Sequence, residues 1–233
     1  MEETLSELKE KLVLAHKALA RAGVLEMNLG HMSVRLPGER ALIVGHLHPI
    51  LKTFAEITPE DLTVMDFEGN RVEGKLDPPG ERFIHTAIYR ARPNVGSVVH
   101  AHPKTAVAFS IANRPLVPAG TRGVVFYPEV PVYPKSIQIE TKELGEEVAR
   151  ALGEKPAVLL KSHGAVSVGE TIEQAFAVMT TLEYTAELVA TAATLGRPDP
   201  IPKEEAEGRH AITLRRGAFW KTPWAYWTSQ VRK

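Results

Sequence analysis

Apolar residues recur at helical spacing through Leu5, Leu8, Leu12, Ala15 and Leu19, directly after Thr4-x-x-Glu7. The pattern predicts a capped amphipathic helix that ends at Gly23. The period then shortens. Met32 to Leu36 and Ala41 to Val44 predict a hairpin around Pro37-Gly38, and Leu62 to Asp66 with Arg71 to Glu73 predict a second about Glu68-Gly69-Asn70. Between them, Thr58-Pro59-Glu60-Asp61 predicts one helical turn, with Thr58 as cap and Pro59 at the first position. A helix is expected from about Gly80 to Arg92, with Glu81 exposed in its first turn. Gly96 to Val99 predict a buried strand, and Pro103 to Ala112 a helix. Leu116 to Tyr133 form a proline-dotted loop and strand region.

Further on, Leu144, Val148 and Leu152 share one side of a predicted helix from Lys142 to Leu152. Ala157 to Leu160 and Ala165 to Val168 predict strands around His163 and Gly164. Thr171-x-x-Gln174 caps a long helix running to about Leu195. A tail from about residue 198 carries Trp220, Trp224, Tyr226 and Trp227; it reads as a helix packed on the body, or as a lid over a neighbouring subunit's site. No repeat or long linker divides the chain, so one domain over residues 1–233 is expected. Short hairpin strands interleaved with helices imply α/β layers around a mostly antiparallel sheet.

Composition narrows the function classes. The chain of 233 residues has 28 basic and 28 acidic side chains, a balance that gives no reason to expect nucleic acid or an anionic membrane as partner. No stretch approaches the ~20 consecutive apolar residues of a membrane span. The acidic start Met1-Glu2-Glu3 does not suit a signal peptide, so a cytoplasmic protein is expected. Cysteine is absent, which leaves His, Asp and Glu as the available metal ligands.

Histidines stand where a metal site would need them. His100 and His102 follow the apolar strand at i and i+2, which in a strand point to the same face. His163 follows the second apolar run, with Gly164 letting the chain turn away. Any one of these could be a buried strand-end histidine satisfied by a backbone carbonyl. Three imidazoles delivered to one place by two strand ends form an open three-histidine metal site, with Glu81 as fourth ligand or base. His85 lies one turn beyond Glu81 on the same helix face and reads as structural. His16 and His210 read as ordinary surface or helix residues. His46-Leu47-His48 is a second HxH, without an upstream glutamate or a partner His-Gly.

The ordered set Gly30-His31-Met32-Ser33-Val34-Arg35, Val72-Glu73-Gly74, Pro79-Gly80-Glu81 with His85, Tyr89, Arg90 and Pro93, Val99-His100-Ala101-His102-Pro103 and Leu160-Lys161-Ser162-His163-Gly164 resembles the class II aldolase/adducin family. The resemblance spans roughly residues 4 to 196. It implies a three-layer α/β/α sandwich around a mostly antiparallel central sheet, and a homotetramer with sites at subunit interfaces. It also implies His100, His102 and His163 as ligands of a divalent metal (Zn2+ first, with Mn2+, Co2+ or Fe2+ also suited) and Glu81 as catalytic acid/base. His31, Ser33, His46, His48 and Gly80 would then line the end of the pocket that holds an anionic part of a small-molecule substrate.

Gly30-His31, the Gly45-His46-Leu47-His48 loop and Pro79-Gly80 differ from the sugar-phosphate members, which carry Gly-Asn, a Thr/Gly-rich loop and Ser-Ser there; phosphate sites use hydroxyls and the backbone N–H groups that small residues leave open. Histidines could instead hold a carboxylate through charge-assisted hydrogen bonds. The resemblance therefore implies a metal-dependent carbon–carbon lyase acting by retro-aldol cleavage or decarboxylation, closer to the decarboxylase-like branch. The alternatives are a non-catalytic adducin-like interaction module, a pentulose-phosphate epimerase and a zinc hydrolase.

Overall fold

The computed structural model describes residues 3–213 and 217–232. Helix α1 (Leu5–Arg21) starts with the expected capping box, Thr4 and Glu7 satisfying each other's backbone N–H groups. Strands β1 (His31–Leu36), β2 (Arg40–Val44), β3 (Leu62–Asp66) and β4 (Arg71–Glu73) form the two hairpins, and Thr58-Pro59-Glu60-Asp61 is a single capped 3-10 turn before β3. Next come α2 (Arg82–Ala91), β5 (Ser97–Ala101), α3 (Lys104–Ile111), β6 (Val132–Tyr133) and α4 (Lys142–Leu152). The chain continues with β7 (Ala157–Leu160), β8 (Gly164–Gly169), α5 (Ile172–Leu195), α6 (Lys203–Thr213) and α7 (Gly217–Ser229).

The strands make one eight-stranded sheet in the order β4-β3-β2-β1-β5-β8-β7-β6, antiparallel at every pairing except β6 with β7. Alternation along each strand feeds two cores. Met32, Leu42, Val99 and Leu159 meet Leu12, Leu19 and Phe176 of α1 and α5 on one face, while Ile43, Val98, Val158 and Val166 meet Ile84, Ile88 and Val148 of α2 and α4 on the other. The architecture is the three-layer α/β/α sandwich. The tail forms two helices, and Phe219, Trp220, Trp224 and Trp227 of α7 pack on the α1/α5 core, Trp224 edge-on to Phe176.

Two local expectations are corrected. Helix α2 begins at Arg82, and Glu81 is its N-cap residue with no side-chain capping bond. Its carboxylate is not exposed but turned inward, with 13% of the side chain accessible. His16 is likewise not at the surface. It is fully buried between α1 and β1, where its Nδ1–H donates to the Leu12 carbonyl (2.8 Å) and its Nε2 accepts the Met32 N–H (3.0 Å).

Candidate metal centre and active site

The sheet brings His100 and His102 together at the C-terminal end of β5. Beside them, the β7–β8 turn carries His163, closed by the His163 N–H on the Leu160 carbonyl. Ser162 in that turn takes a left-handed conformation (φ 56), and its N–H donates to the buried Ser110 hydroxyl of α3. The start of α3 is itself pinned by Glu183 of α5, whose carboxylate accepts the N–H groups of Thr105 and Ala106. Ring centroids lie 4.8 Å apart for His100 and His102, 5.1 Å for His100 and His163, and 5.4 Å for His102 and His163. Glu81 completes the group, and one ligand atom from each of the four residues lies within 4.8 Å of the others.

Gly164 serves this convergence through its size, not by turning the chain. A Cβ there would lie 2.6 Å from the Ala101 carbonyl oxygen and 3.0 Å from His100 Cε1, so only glycine lets the His163 turn approach the β5 end. Gly30, with φ +100, does the same on the other side, where a Cβ would meet the His100 carbonyl at 2.6 Å.

The hydrogen-bond pattern fits a cation. His100 Nδ1 donates to the Ala165 carbonyl (3.1 Å), which leaves a lone pair on Nε2. That lone pair faces Glu81 Oε2 at 3.2 Å, while Glu81 Oε1 accepts the Ile139 N–H at 2.8 Å and lies 3.4 Å from His163 Nε2. Two acceptors at that distance are stable only with positive charge between them, supplied by a proton or a metal ion. His102 Nδ1 and His163 Nδ1 are buried without a hydrogen-bond partner among the described residues. Burial raises the Glu81 carboxyl, but the hydrogen bonds and charge of His100 and His163 outweigh it and hold the group well below the usual carboxylate range. Burial, with the neighbouring imidazoles, pushes His102 down to about 4, so it is neutral and able to ligate at neutral pH.

Glu81, His102 and His163 line a cleft of about 660 Å³, with His100 fully buried beside them. His31, Gly80, His46 and His48 line this cleft, the last two exposed at its rim. Ser33 is corrected: it does not line the cleft but lies fully buried behind it. Its hydroxyl is 2.7 Å from both His85 Nδ1 and Tyr89 Oη, and His85 Nε2 is 2.7 Å from His31 Nδ1. His85 and Tyr89 are both buried; His85 is pushed to about 3 by burial, with the charge of His100 adding to it. Burial and the surrounding imidazoles hold His31 well below its ordinary value, so the charge-assisted role expected of it does not fit a neutral ring.

Arg35 locks this column in place. Its guanidinium donates to the carbonyls of Tyr89 (2.6 Å), Val95 (2.8 Å) and Arg92 (3.0 Å) and lies 4.8 Å from the Tyr89 ring centroid. The sequence reading missed this column, although Glu81, His85 and Tyr89 at four-residue spacing and His31 and Ser33 at i, i+2 carried the signal. It also missed the 136–140 segment, which brings Gln138 and Glu140 to the cleft wall and the Ile139 N–H to Glu81. That segment has no periodic pattern to announce it.

Residues 10–190 match the Class II Aldolase and Adducin N-terminal domain. The chain belongs to this family. It is 36% identical over 179 residues to 3,4-dihydroxyphthalate decarboxylase from Arthrobacter keyseri, covering 72% of this chain and 71% of that one. It is 31% identical over 204 residues to L-fuculose phosphate aldolase from Escherichia coli O6:H1, covering 84% and 88%. The solved L-fuculose 1-phosphate aldolase from Glaciozyma antarctica PI12 superposes with a TM-score of 0.85 at 26% identity, covering 99% of this chain and 92% of that one. The family thus includes both aldolases and decarboxylases, and these relatives are lyases acting on small molecules. Among the described residues, no helix is long and apolar enough to cross a membrane.

Proposed function

We propose that this chain is a metal-dependent carbon–carbon lyase that decarboxylates a small ortho-hydroxy aromatic or β-keto acid. The observation that carries the reading is the convergence of Glu81, His100, His102 and His163 at a cleft whose other walls present imidazoles. His100, His102 and His163 would hold a divalent metal, Zn2+ being well suited to three nitrogens, with the Glu81 carboxylate available as a further donor. When bound, such an ion supplies Lewis acidity, drawing neighbouring substrate oxygens and stabilising the negative charge that develops on them.

The chain's own residues do the rest. Breaking the bond to the carboxylate releases carbon dioxide and leaves an electron pair delocalised onto the adjacent substrate oxygen. Glu81, an ionised carboxylate held by the Ile139 N–H, first takes up the proton of a substrate hydroxyl or of water and then passes it to the carbon that lost the carboxylate. Imidazoles at His31, His46 and His48 suit a carboxylate, and three relatives between 30% and 36% identical are 3,4-dihydroxyphthalate decarboxylases. A homotetramer completing the site accords with Met27 and Leu51, exposed at 80% and 86% on two loops that Asn28 ties together beside the cleft.

The test is a screen of ortho-hydroxybenzoates, hydroxy-keto acids and ketose phosphates, with and without chelator, scoring carbon dioxide and aldehyde separately. Chelator-sensitive carbon dioxide release is expected. Aldehyde release from ketose phosphates alone would replace this reading with the retro-aldol one.

A further inference from the structure

The hydrogen bonds behind the cleft have a direction. Tyr89 Oη, Ser33 Oγ, the two nitrogens of His85 and His31 Nδ1 form three links, each 2.7 Å long and each holding one hydrogen. With one hydrogen on each ring, three arrangements satisfy all three links, because the Ser33 oxygen can accept twice. In the first, Tyr89 donates to Ser33, Ser33 to His85 Nδ1, and His85 Nε2–H to His31 Nδ1, so that His31 carries its own hydrogen on Nε2. In the second every hydrogen is reversed, and the Tyr89 hydroxyl hydrogen is left over. In the third, Tyr89 and His85 Nδ1–H both donate to Ser33, whose own hydrogen is left over, while His31 Nδ1–H donates to His85 Nε2. Tyr89 is 1% exposed and Ser33 fully buried, and neither hydroxyl has another acceptor among the described residues. Stranding a buried hydroxyl hydrogen disfavours the second and third arrangements by roughly 10- to 100-fold.

We infer that Tyr89, Ser33 and His85 are positioning residues that fix His31 as a neutral donor, presenting Nε2–H to a carboxylate or enolate oxygen in the cleft. His31 lines the cleft, and its Nε2 makes no hydrogen bond to the described residues. Neutrality matters because the His31 ring lies 5.2 Å from that of His100, where an imidazolium would repel a divalent ion. A neutral N–H orients an anionic oxygen without adding charge. The inference rests on reading the cleft as the active site, but its test does not depend on turnover.

The experiment is 15N NMR of the full chain with labelled histidine, with and without Zn2+, the His31 signals being assigned by their loss in His31→Asn. Both His31 and His85 should show a hydrogen-bearing Nε2 and an unprotonated, acceptor-type Nδ1. A hydrogen on His31 Nδ1 would overturn the inference. In His85→Leu the single-tautomer signature of His31 should be lost, while His85→Gln, whose amide N–H can still reach His31 Nδ1, should restore it. His31 signals unchanged in both variants would also overturn it. If His85→Leu does not fold, the wild-type spectrum and His85→Gln decide. Failure of the lyase assay leaves these signals readable, so the two failures are separate results.

Discussion

Replacing Gly164 by alanine should weaken metal binding without altering any candidate ligand. The added Cβ would sit 2.6 Å from the Ala101 carbonyl oxygen, 3.0 Å from His100 Cε1 and 3.2 Å from His102 Cδ2. Carbon–oxygen contacts settle near ~3.3 Å, so β5 and β8 must part by about 0.7 Å at this end. His163 precedes Gly164 on one side of the gap, and His100 and His102 stand on the other. Metal–ligand distances tolerate only ~0.2 Å, so the separation is larger than the ligand set can absorb. Overpacking by one methyl costs about 1–3 kcal/mol, which a sheet of this size survives. Disturbing atoms that merely support ligands costs ~10- to 100-fold in affinity, and moving the ligands should cost at least that. The assay is competition for Zn2+ against a chromogenic chelator, with circular dichroism to confirm the fold. A folded Gly164→Ala protein holding one equivalent of zinc at wild-type affinity would refute the reasoning.

Glu81→Gln keeps the size and removes the proton carrier, so kcat should fall by ~10²- to 10⁴-fold with the fold intact; turnover comparable to wild type would end the acid/base role. Chelator treatment should lower Tm and abolish activity, both restored by Zn2+, since an ion at 100 times its Kd adds ~2.7 kcal/mol; a chelator-indifferent Tm contradicts the metal centre. His16 is neutral in the fold, where burial lowers its pKa from 6.5 to about 4 despite the bond to the Leu12 carbonyl, so the unfolded chain binds the extra proton first. Stability from this group is complete above about pH 6.5 and is lost as pH falls toward about 4, by roughly 3 kcal/mol. Denaturant titrations across that window should show a flatter slope for His16→Gln, and an identical slope would remove His16 as the cause.

Much of the architecture is legible because it depends on period. The Thr4-x-x-Glu7 and Thr171-x-x-Gln174 starts, the two N-terminal hairpins and the β5, β7 and β8 runs all lie where local pattern puts them. Positions that depend on neighbours distant in sequence were not legible. Glu81 reads as an exposed helix-start acid, yet it is turned inward because His100, His163 and the Ile139 N–H outcompete its own helix terminus. Ser33 reads as a cleft residue from its motif, yet it lies two residues further along β1 on the same face as His31, beneath α2, where His85 and Tyr89 take its hydroxyl.

By itself, then, the amino-acid order determined which residues form strands and helices, because spacing alone decides which side chains share a face. It also limited any metal site to His, Asp and Glu by offering no cysteine. Only the tertiary structure decided which nitrogen of each histidine is free, which acids face inward and where glycine is required. Those properties are set by atoms a few ångströms away but tens of residues distant along the chain, such as the Ala165 carbonyl that holds His100 Nδ1 and the Ala101 carbonyl beside Gly164.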